Sequence, residues 1–83
     1  MRMIDFDRKS SLKSIYLYLT ESEATQIKEE LEKLLKDPEA HEHFHVCDAR
    51  DPYREISCSI VTEIKLKNIS RYNKLEQQVL SEK

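Results

Sequence analysis

The chain of 83 residues contains no glycine. Phosphate-binding loops, dinucleotide-binding turns and the nucleophile elbow of hydrolases all need glycine, because their backbone adopts positive φ or approaches a ligand closely. The absence therefore disfavours several whole classes of nucleotide-binding and hydrolytic enzymes. Turns in this chain must instead be built from Asp, Asn, Ser and the two prolines.

The sequence also lacks a long apolar run and an excess of charge of either sign. No stretch approaches the roughly 18 apolar residues of a membrane span, and no basic-then-apolar signal segment is seen at the start. We therefore expect a cytoplasmic protein that does not engage a membrane. The chain has 14 Lys and Arg against 16 Asp and Glu. Since nucleic-acid binding needs a basic excess, that class of partner is disfavoured.

The length predicts a single small domain over residues 1–83. So short a chain buries only about 60–65% of the surface that it exposes when unfolded, so its core is thin. This leaves room for one sheet and one or two helices, and little room for an enclosed substrate cavity. Cys47 and Cys58 are expected to be free thiols, since the strand alternation described next sends them to opposite faces.

Hydrophobic periodicity predicts six elements. Alternating residues indicate strands over residues 1–7, 14–20, 41–47 and 54–62. A capping box formed by Thr20 and Glu23 opens a helix over residues 21–36, and Pro38 follows its end. A second helix is predicted over residues 70–81. The order β-β-α-β-β-α predicts an α+β fold of two layers, in which the long helix packs on one face of an antiparallel sheet of about four strands.

The stretch His41-Glu42-His43-Phe44-His45-Val46-Cys47 carries the main functional signal. In a strand, His and Cys leave from one face while Phe and Val leave from the other. Strand parity adds further residues to the His face, which are Tyr16, Tyr18, Ser57 and Ser59. This predicted face is polar, rich in rings and almost free of charge, whereas ordinary solvated sheet faces carry Lys, Glu and Thr.

The leading interpretation is a non-catalytic binding protein, because interface centres are depleted in charge and enriched in Tyr. The predicted contact residues, for a protein partner or a homodimer, are Tyr16, Tyr18, His43, His45, Ser57 and Ser59. No Ser or Cys nucleophile lies in a recognisable catalytic setting. Two further interpretations are covering of this face by the last helix and stacking of single-stranded nucleic acid, which the missing basic residues disfavour.

The alternative function is a metal-binding protein or metal-assisted enzyme. It would use His43, His45 and Cys47 to hold zinc or another divalent transition metal, since residues two apart on a strand lie about 6.5–7 Å apart and two imidazoles can chelate. The sequence offers no second Cys or His pair as further ligands. The leading interpretation, a surface that binds a protein, needs no cofactor.

Several local features also resemble small bacterial α+β proteins predicted to act as immunity proteins of polymorphic-toxin systems, and related uncharacterised short proteins. The resemblance covers roughly residues 4–62. It lies in the strand ending Leu17-Tyr18-Leu19-Thr20, the helix opening Glu21-Ser22-Glu23-Ala24, the exit Leu34-Leu35-Lys36-Asp37-Pro38-Glu39, the His-rich strand and Glu55-Ile56. It implies a protein that binds and blocks a cognate toxin and has no catalytic activity of its own.

Overall fold

The computed structural model describes residues 1–82 as a small α+β protein. The strands are β1 (Ile4–Asp5), β2 (Ser10–Ser11), β3 (Phe44–Cys47) and β4 (Glu55–Cys58), and the helices are α1 (Glu21–Lys36), α2 (Glu63–Lys67), a 3-10 turn (Ile69–Arg71) and α3 (Lys74–Leu80). Two compact units form: Tyr18–Thr62, and Met1–Leu17 together with the chain from Glu63 onward. No helix within residues 1–82 is long and apolar enough to cross a bilayer.

Helix α1 begins at Glu21 with Thr20 as its N-cap, as the sequence predicts. The Glu23 amide donates to Thr20 Oγ1 at 3.1 Å, and the Thr20 amide donates to Glu23 Oε1 at 2.9 Å, which completes a capping box. These bonds satisfy two amides that the first turn of a helix leaves unpaired. At the other end the helix stops before Asp37, whose Oδ1 accepts from the Ala40 amide at 3.1 Å.

Replacing Thr20 with Ala should lower the free energy of unfolding by about 1 kcal/mol, because the Glu23 amide loses its acceptor. Thr25→Ala is the matched control: its hydroxyl only donates to the Glu21 carbonyl one turn earlier in the same helix. Urea unfolding followed by helical circular dichroism measures both. Equal losses in the two variants would contradict the capping role.

The core of the Tyr18–Thr62 unit lies between α1 and the β3–β4 hairpin. Its buried members are Leu34, Phe44 and Val46, and the partly buried residues packed against them are Ile27, Leu31, Ile56, Cys58 and Ile60. Strands β3 and β4 are antiparallel, with Phe44 opposite Cys58 and Val46 opposite Ile56. The alternation predicted for the His-rich strand is therefore confirmed: Phe44 and Val46 are buried, and His45 and Cys47 are exposed.

In the other unit, β1 pairs antiparallel with β2 through a tight turn. Asp5 Oδ1 accepts from the amides of Asp7 and Arg8, and Lys9 adopts a positive φ of 54°. Glycine usually occupies such a position, so in a chain without glycine a lysine takes it. Helix α3 begins at Lys74 and buries Val79. Its N-cap is Asn73, whose Oδ1 accepts from the Glu76 amide at 2.8 Å.

The predicted sheet of about four strands and the order β-β-α-β-β-α are not confirmed. The four strands of residues 1–82 form two separate two-stranded sheets, and residues 14–20 belong to no strand. The predicted connection over residues 63–67 is instead helix α2. The helix predicted over residues 70–81 is divided into the 3-10 turn and α3, because the Asn73 side chain caps a new helix.

Candidate functional site

The solvent-facing side of the β3–β4 hairpin is the best candidate for a functional site. The register places His45 opposite Ser57 and Cys47 opposite Glu55, and all four side chains are exposed. His43 precedes β3 and adds a second ring beside His45. We call His43, His45, Cys47, Glu55 and Ser57 the hairpin face.

His45 is held on this face by two cross-strand contacts. Its Nδ1 shares a hydrogen bond with Ser57 Oγ, in which the imidazole tautomer decides the donor. Glu55 Oε2 lies 3.7 Å from the same nitrogen. The pair is half exposed, with 49% of the His45 side chain and 48% of the Glu55 side chain accessible. An ion pair forms here only when His45 is protonated, and solvent would screen it.

The two imidazole rings of the hairpin face touch edge to face. The ring centroids of His43 and His45 lie 4.6 Å apart and the ring planes meet at 76°. T-shaped contacts are a favoured arrangement of aromatic rings. The contact presents two rings side by side to solvent.

Cys47, the remaining residue of the hairpin face, contacts Glu55. Cys47 Sγ lies 3.9 Å from Glu55 Oε2, the oxygen that also faces His45. Cys47 and Cys58 are both free thiols, as predicted from their opposite parity. Burial on the core face raises the pKa of the Cys58 thiol, so Cys58 holds less thiolate than an exposed cysteine at the same pH.

The metal hypothesis gains no geometric support from this face. Within residues 1–82, no group of three or more His, Cys, Asp or Glu side chains is arranged to hold a metal ion. A zinc site formed by His43, His45 and Cys47 stays a prediction from the sequence.

The loop joining β3 to β4 is ordered by carboxylates. Asp48 Oδ1 accepts from the amides of Arg50 at 2.7 Å and Asp51 at 3.1 Å, and Glu23 Oε2 accepts from the Ala49 amide at 3.3 Å. Glu23 thus ties the start of α1 to this loop. Hydrogen bonds from Thr20 and Ala49 hold the pKa of Glu23 below its ordinary value, and those from Arg50 and Asp51 do the same for the pKa of Asp48.

These lowered pKa values predict a loss of stability in acid. In the unfolded chain Glu23 returns to its ordinary pKa of 4.5, so the unfolded state binds more protons between the folded pKa and 4.5. Stability is therefore complete above pH 4.5 and falls as pH drops through the folded pKa. Urea midpoints measured against pH should show this decline.

The Glu23→Gln variant tests the cause of that decline. It should be less stable than the wild type at neutral pH and should lose less of its stability on acidification, because the titrating carboxylate is gone. Glu32→Gln, an exposed carboxylate on the same helix, serves as the control and should keep the wild-type pH profile. If Glu23→Gln keeps the full acid dependence, Glu23 does not cause it.

An open depression of about 370 Å³ lies beside this loop. Its lining residues are Tyr18, Leu19, Thr20, Glu23, Asp48, Ala49 and Arg50. Both of its carboxylates are occupied by the backbone bonds described above. These carboxylates therefore serve the ordering of the loop and of the start of α1, and the lining does not define a ligand.

The structure brings together some of the six predicted contact residues. His43, His45 and Ser57 form one contact chain, and Ser59 Oγ donates to the Glu42 carbonyl. Tyr18 instead lines the loop depression. Tyr16 belongs to the Met1–Leu17 unit and its side chain is exposed.

Sequence reasoning omitted Glu55 from the predicted face, although this carboxylate contacts both His45 and Cys47. Glu55 lies two residues before Ser57 on β4, so strand alternation alone predicts that it lies on the same face as Ser57. The link from Glu23 to Ala49 has no such signal, because it joins residues 26 positions apart.

Comparison with known proteins adds no relative: no family model, no curated protein and no solved structure matches this chain.

Proposed function

We propose that this chain is a small non-catalytic binding protein whose hairpin face contacts a partner protein. The observation that carries the proposal is the pair of touching imidazole rings on β3 and just before it, with His45 anchored to Ser57 and facing Glu55. Ring side chains held in place by neighbours lose little conformational freedom on binding, so they suit a contact surface.

The chemistry of the face favours a protein over other ligands. It combines rings, a thiol, a hydroxyl and one carboxylate, a mixture that can both donate and accept hydrogen bonds. It has no Lys or Arg to hold a phosphate backbone, which argues against nucleic acid. Tyr16, Tyr18 and Ser59 stay predicted contact residues.

The resemblance to predicted immunity proteins suggests the class of partner. Such a protein would act in the cytoplasm by binding a toxin and blocking it. In this proposal the neighbouring gene encodes the toxin, so its purified product is the partner to test.

Binding of that product should be measured by calorimetry with the wild type and with the double variant His43→Ala/His45→Ala. We expect the double variant to bind at least about tenfold more weakly, which corresponds to about 1.4 kcal/mol, since truncation of an interface centre commonly costs more than 1 kcal/mol. Ser57→Ala, which removes the anchor of His45 and leaves both rings, should show a smaller loss.

The control is Lys28→Ala, which changes an exposed residue of α1 that is not part of the core packed on the hairpin. It should bind as the wild type does. Failure of the wild type to bind the neighbouring product would remove the toxin-blocking role. Wild-type affinity in the double variant would remove the hairpin face as the contact surface.

A further inference from the structure

The two compact units carry charge of opposite sign. The unit formed by Met1–Leu17 and Glu63–Lys83, which we call the basic unit, contains nine Lys and Arg but only five Asp and Glu, a net charge of +4. The unit Tyr18–Thr62 contains five Lys and Arg and eleven Asp and Glu, a net charge of −6. The small net charge of the whole chain, −2, therefore conceals a strongly basic part. Such an asymmetry indicates an anionic partner for that part.

Most cations of the basic unit lie in two stretches without Asp or Glu, which are residues 8–17 and residues 64–75. Six basic side chains of these stretches are exposed: Arg8, Lys9, Lys13, Lys67, Arg71 and Lys74. Within residues 1–82 four of the six form no ion pair, and these four are Lys9, Lys13, Lys67 and Lys74. Their ammonium groups therefore meet solvent without a carboxylate of residues 1–82 beside them.

The turn between β1 and β2 presents two of these cations in succession. Asp5 orders the turn, because its Oδ1 accepts from the amides of Asp7 and Arg8 and its Oδ2 lies 3.9 Å from Arg8 Nε. Lys9 follows with a φ of 54°, which Gly, Asn and Asp adopt more readily than Lys. A lysine is therefore unfavourable for the turn itself, whereas its charge adds to those of Arg8 and Lys13. Backbone strain of this kind is concentrated at functional positions.

We propose that the basic unit binds the phosphate backbone of a nucleic acid through the lysines of both stretches. A nucleic acid carries phosphates at short, regular intervals, so one molecule offers charges to cations that are far apart in sequence. The two stretches belong to one compact unit, which makes a shared ligand possible. The inference does not rest on the proposed contact of the hairpin face, which belongs to the other unit and uses other residues.

The kind of cation favours phosphate over the carboxylates of an acidic peptide. Carboxylates are best matched by the planar fork of arginine, whereas lysine binds phosphate as a point charge. The arginines of the basic unit already have contacts: Arg2 Nη2 donates to the Glu82 carbonyl at 2.9 Å, and Arg8 faces a carboxylate. The Arg71 guanidinium lies 5.3 Å from the centre of the Tyr72 ring. The cations without an ion pair are lysines, so a phosphate backbone fits them better.

The first test is binding of the full chain to a fluorescently labelled single strand of about 20 nucleotides, measured by anisotropy. A duplex of the same sequence is measured in parallel, and binding to either form supports the proposal. Contact with three or four phosphates of the single strand predicts a slope of about −2 to −3 when log affinity is plotted against log salt. A fourfold rise in salt should therefore weaken binding by about twentyfold to fiftyfold.

Two double variants test the two stretches separately. Lys9→Gln/Lys13→Gln should make the salt slope shallower by about 1.4, because two phosphate contacts are lost. It should also weaken binding by about tenfold or more at the lower salt concentration. Lys67→Gln/Lys74→Gln should have the same two effects, since it removes two cations from the second stretch.

The matched control is Lys28→Gln/Lys36→Gln, which removes the same charge from exposed positions of α1 in the other unit. It should keep the wild-type salt slope. His43→Ala/His45→Ala, which changes only the hairpin face, should bind the oligonucleotide as the wild type does. Loss of a protein partner in that variant therefore reports on the proposed function alone.

Lys9→Asn separates binding from folding. Asn tolerates a positive φ better than Lys, so the urea midpoint should rise relative to the wild type. The salt slope should become shallower by about 0.7, because one phosphate contact is lost. A substitution that merely damaged the fold would lower the urea midpoint instead.

Helical circular dichroism checks that every variant folds. A wild type that binds neither the strand nor the duplex at the lower salt concentration would overturn the proposal, as would an unchanged salt slope in both lysine double variants. Poly-glutamate or vesicles of anionic phospholipid are added as competitors at the same concentration of charge. If either displaced the oligonucleotide as well as an unlabelled copy does, the choice of nucleic acid would be wrong.

Discussion

Replacing Leu34 with Ala is expected to lower the free energy of unfolding by about 2–5 kcal/mol. Leu34 is the most buried hydrophobic residue of the described chain, with 2% of its surface exposed, and it packs with Phe44 and Val46. The truncation loses the transfer free energy of the missing atoms and leaves a cavity. Since a folded protein of this length is stable by roughly 4–12 kcal/mol in total, the loss is a large fraction.

The neighbouring Leu35 provides a matched control, because 66% of it is exposed. Leu35→Ala makes the same chemical change one position further along α1, and should alter stability by no more than about 0.5 kcal/mol. Urea unfolding followed by helical circular dichroism measures both variants. Similar losses at the two positions would contradict the orientation of α1 on the hairpin.

The sequence predicted α1 with its observed bounds because every determinant of this helix is local. The capping box needs only residues 20 and 23, and the apolar spacing needs only neighbours three and four apart. Such interactions act within the segment itself. They therefore leave their full pattern in the sequence.

The sheet was harder to predict because strands depend on distant partners. Alternation alone correctly assigned Phe44 and Val46 to the core and His45 to the surface. The same alternation over residues 14–20 predicted a strand that the structure does not contain. Alternation predicts which side chains point to the core and which to solvent. Whether a segment forms a strand also depends on which other segment lies beside it.

The candidate site is likewise predictable only in part, because alternation shows which side chains face solvent and does not show which of them touch. The exposure of His45, Cys47 and Ser57 follows from parity, and so does that of Glu55. Which of them touch depends on register, and only the structure shows that Glu55 Oε2 lies between His45 and Cys47. The sequence therefore predicts which residues belong to the hairpin face, and the pairing of β3 with β4 determines which of them touch.

Replacing Phe44 with Ala should destabilise the protein more than any other single truncation on β3, by about 3–5 kcal/mol. Phe44 is 6% exposed and lies opposite Cys58 on the core side of the hairpin. An aromatic ring removed from this position leaves a large void beneath α1. Phe44→Leu keeps much of the volume and should lose clearly less.

His45→Ala tests the same strand one residue further on, where the side chain points to solvent. It removes a ring that is 49% exposed and should change the free energy of unfolding by no more than about 1 kcal/mol. The urea midpoint should be highest for His45→Ala, lower for Phe44→Leu and lowest for Phe44→Ala. A reversed order would mean that the strand has slipped by one residue, since such a slip exchanges its two faces. The imidazole pair would then lie in the core, and the hairpin face would lose the residues on which the proposed binding role depends.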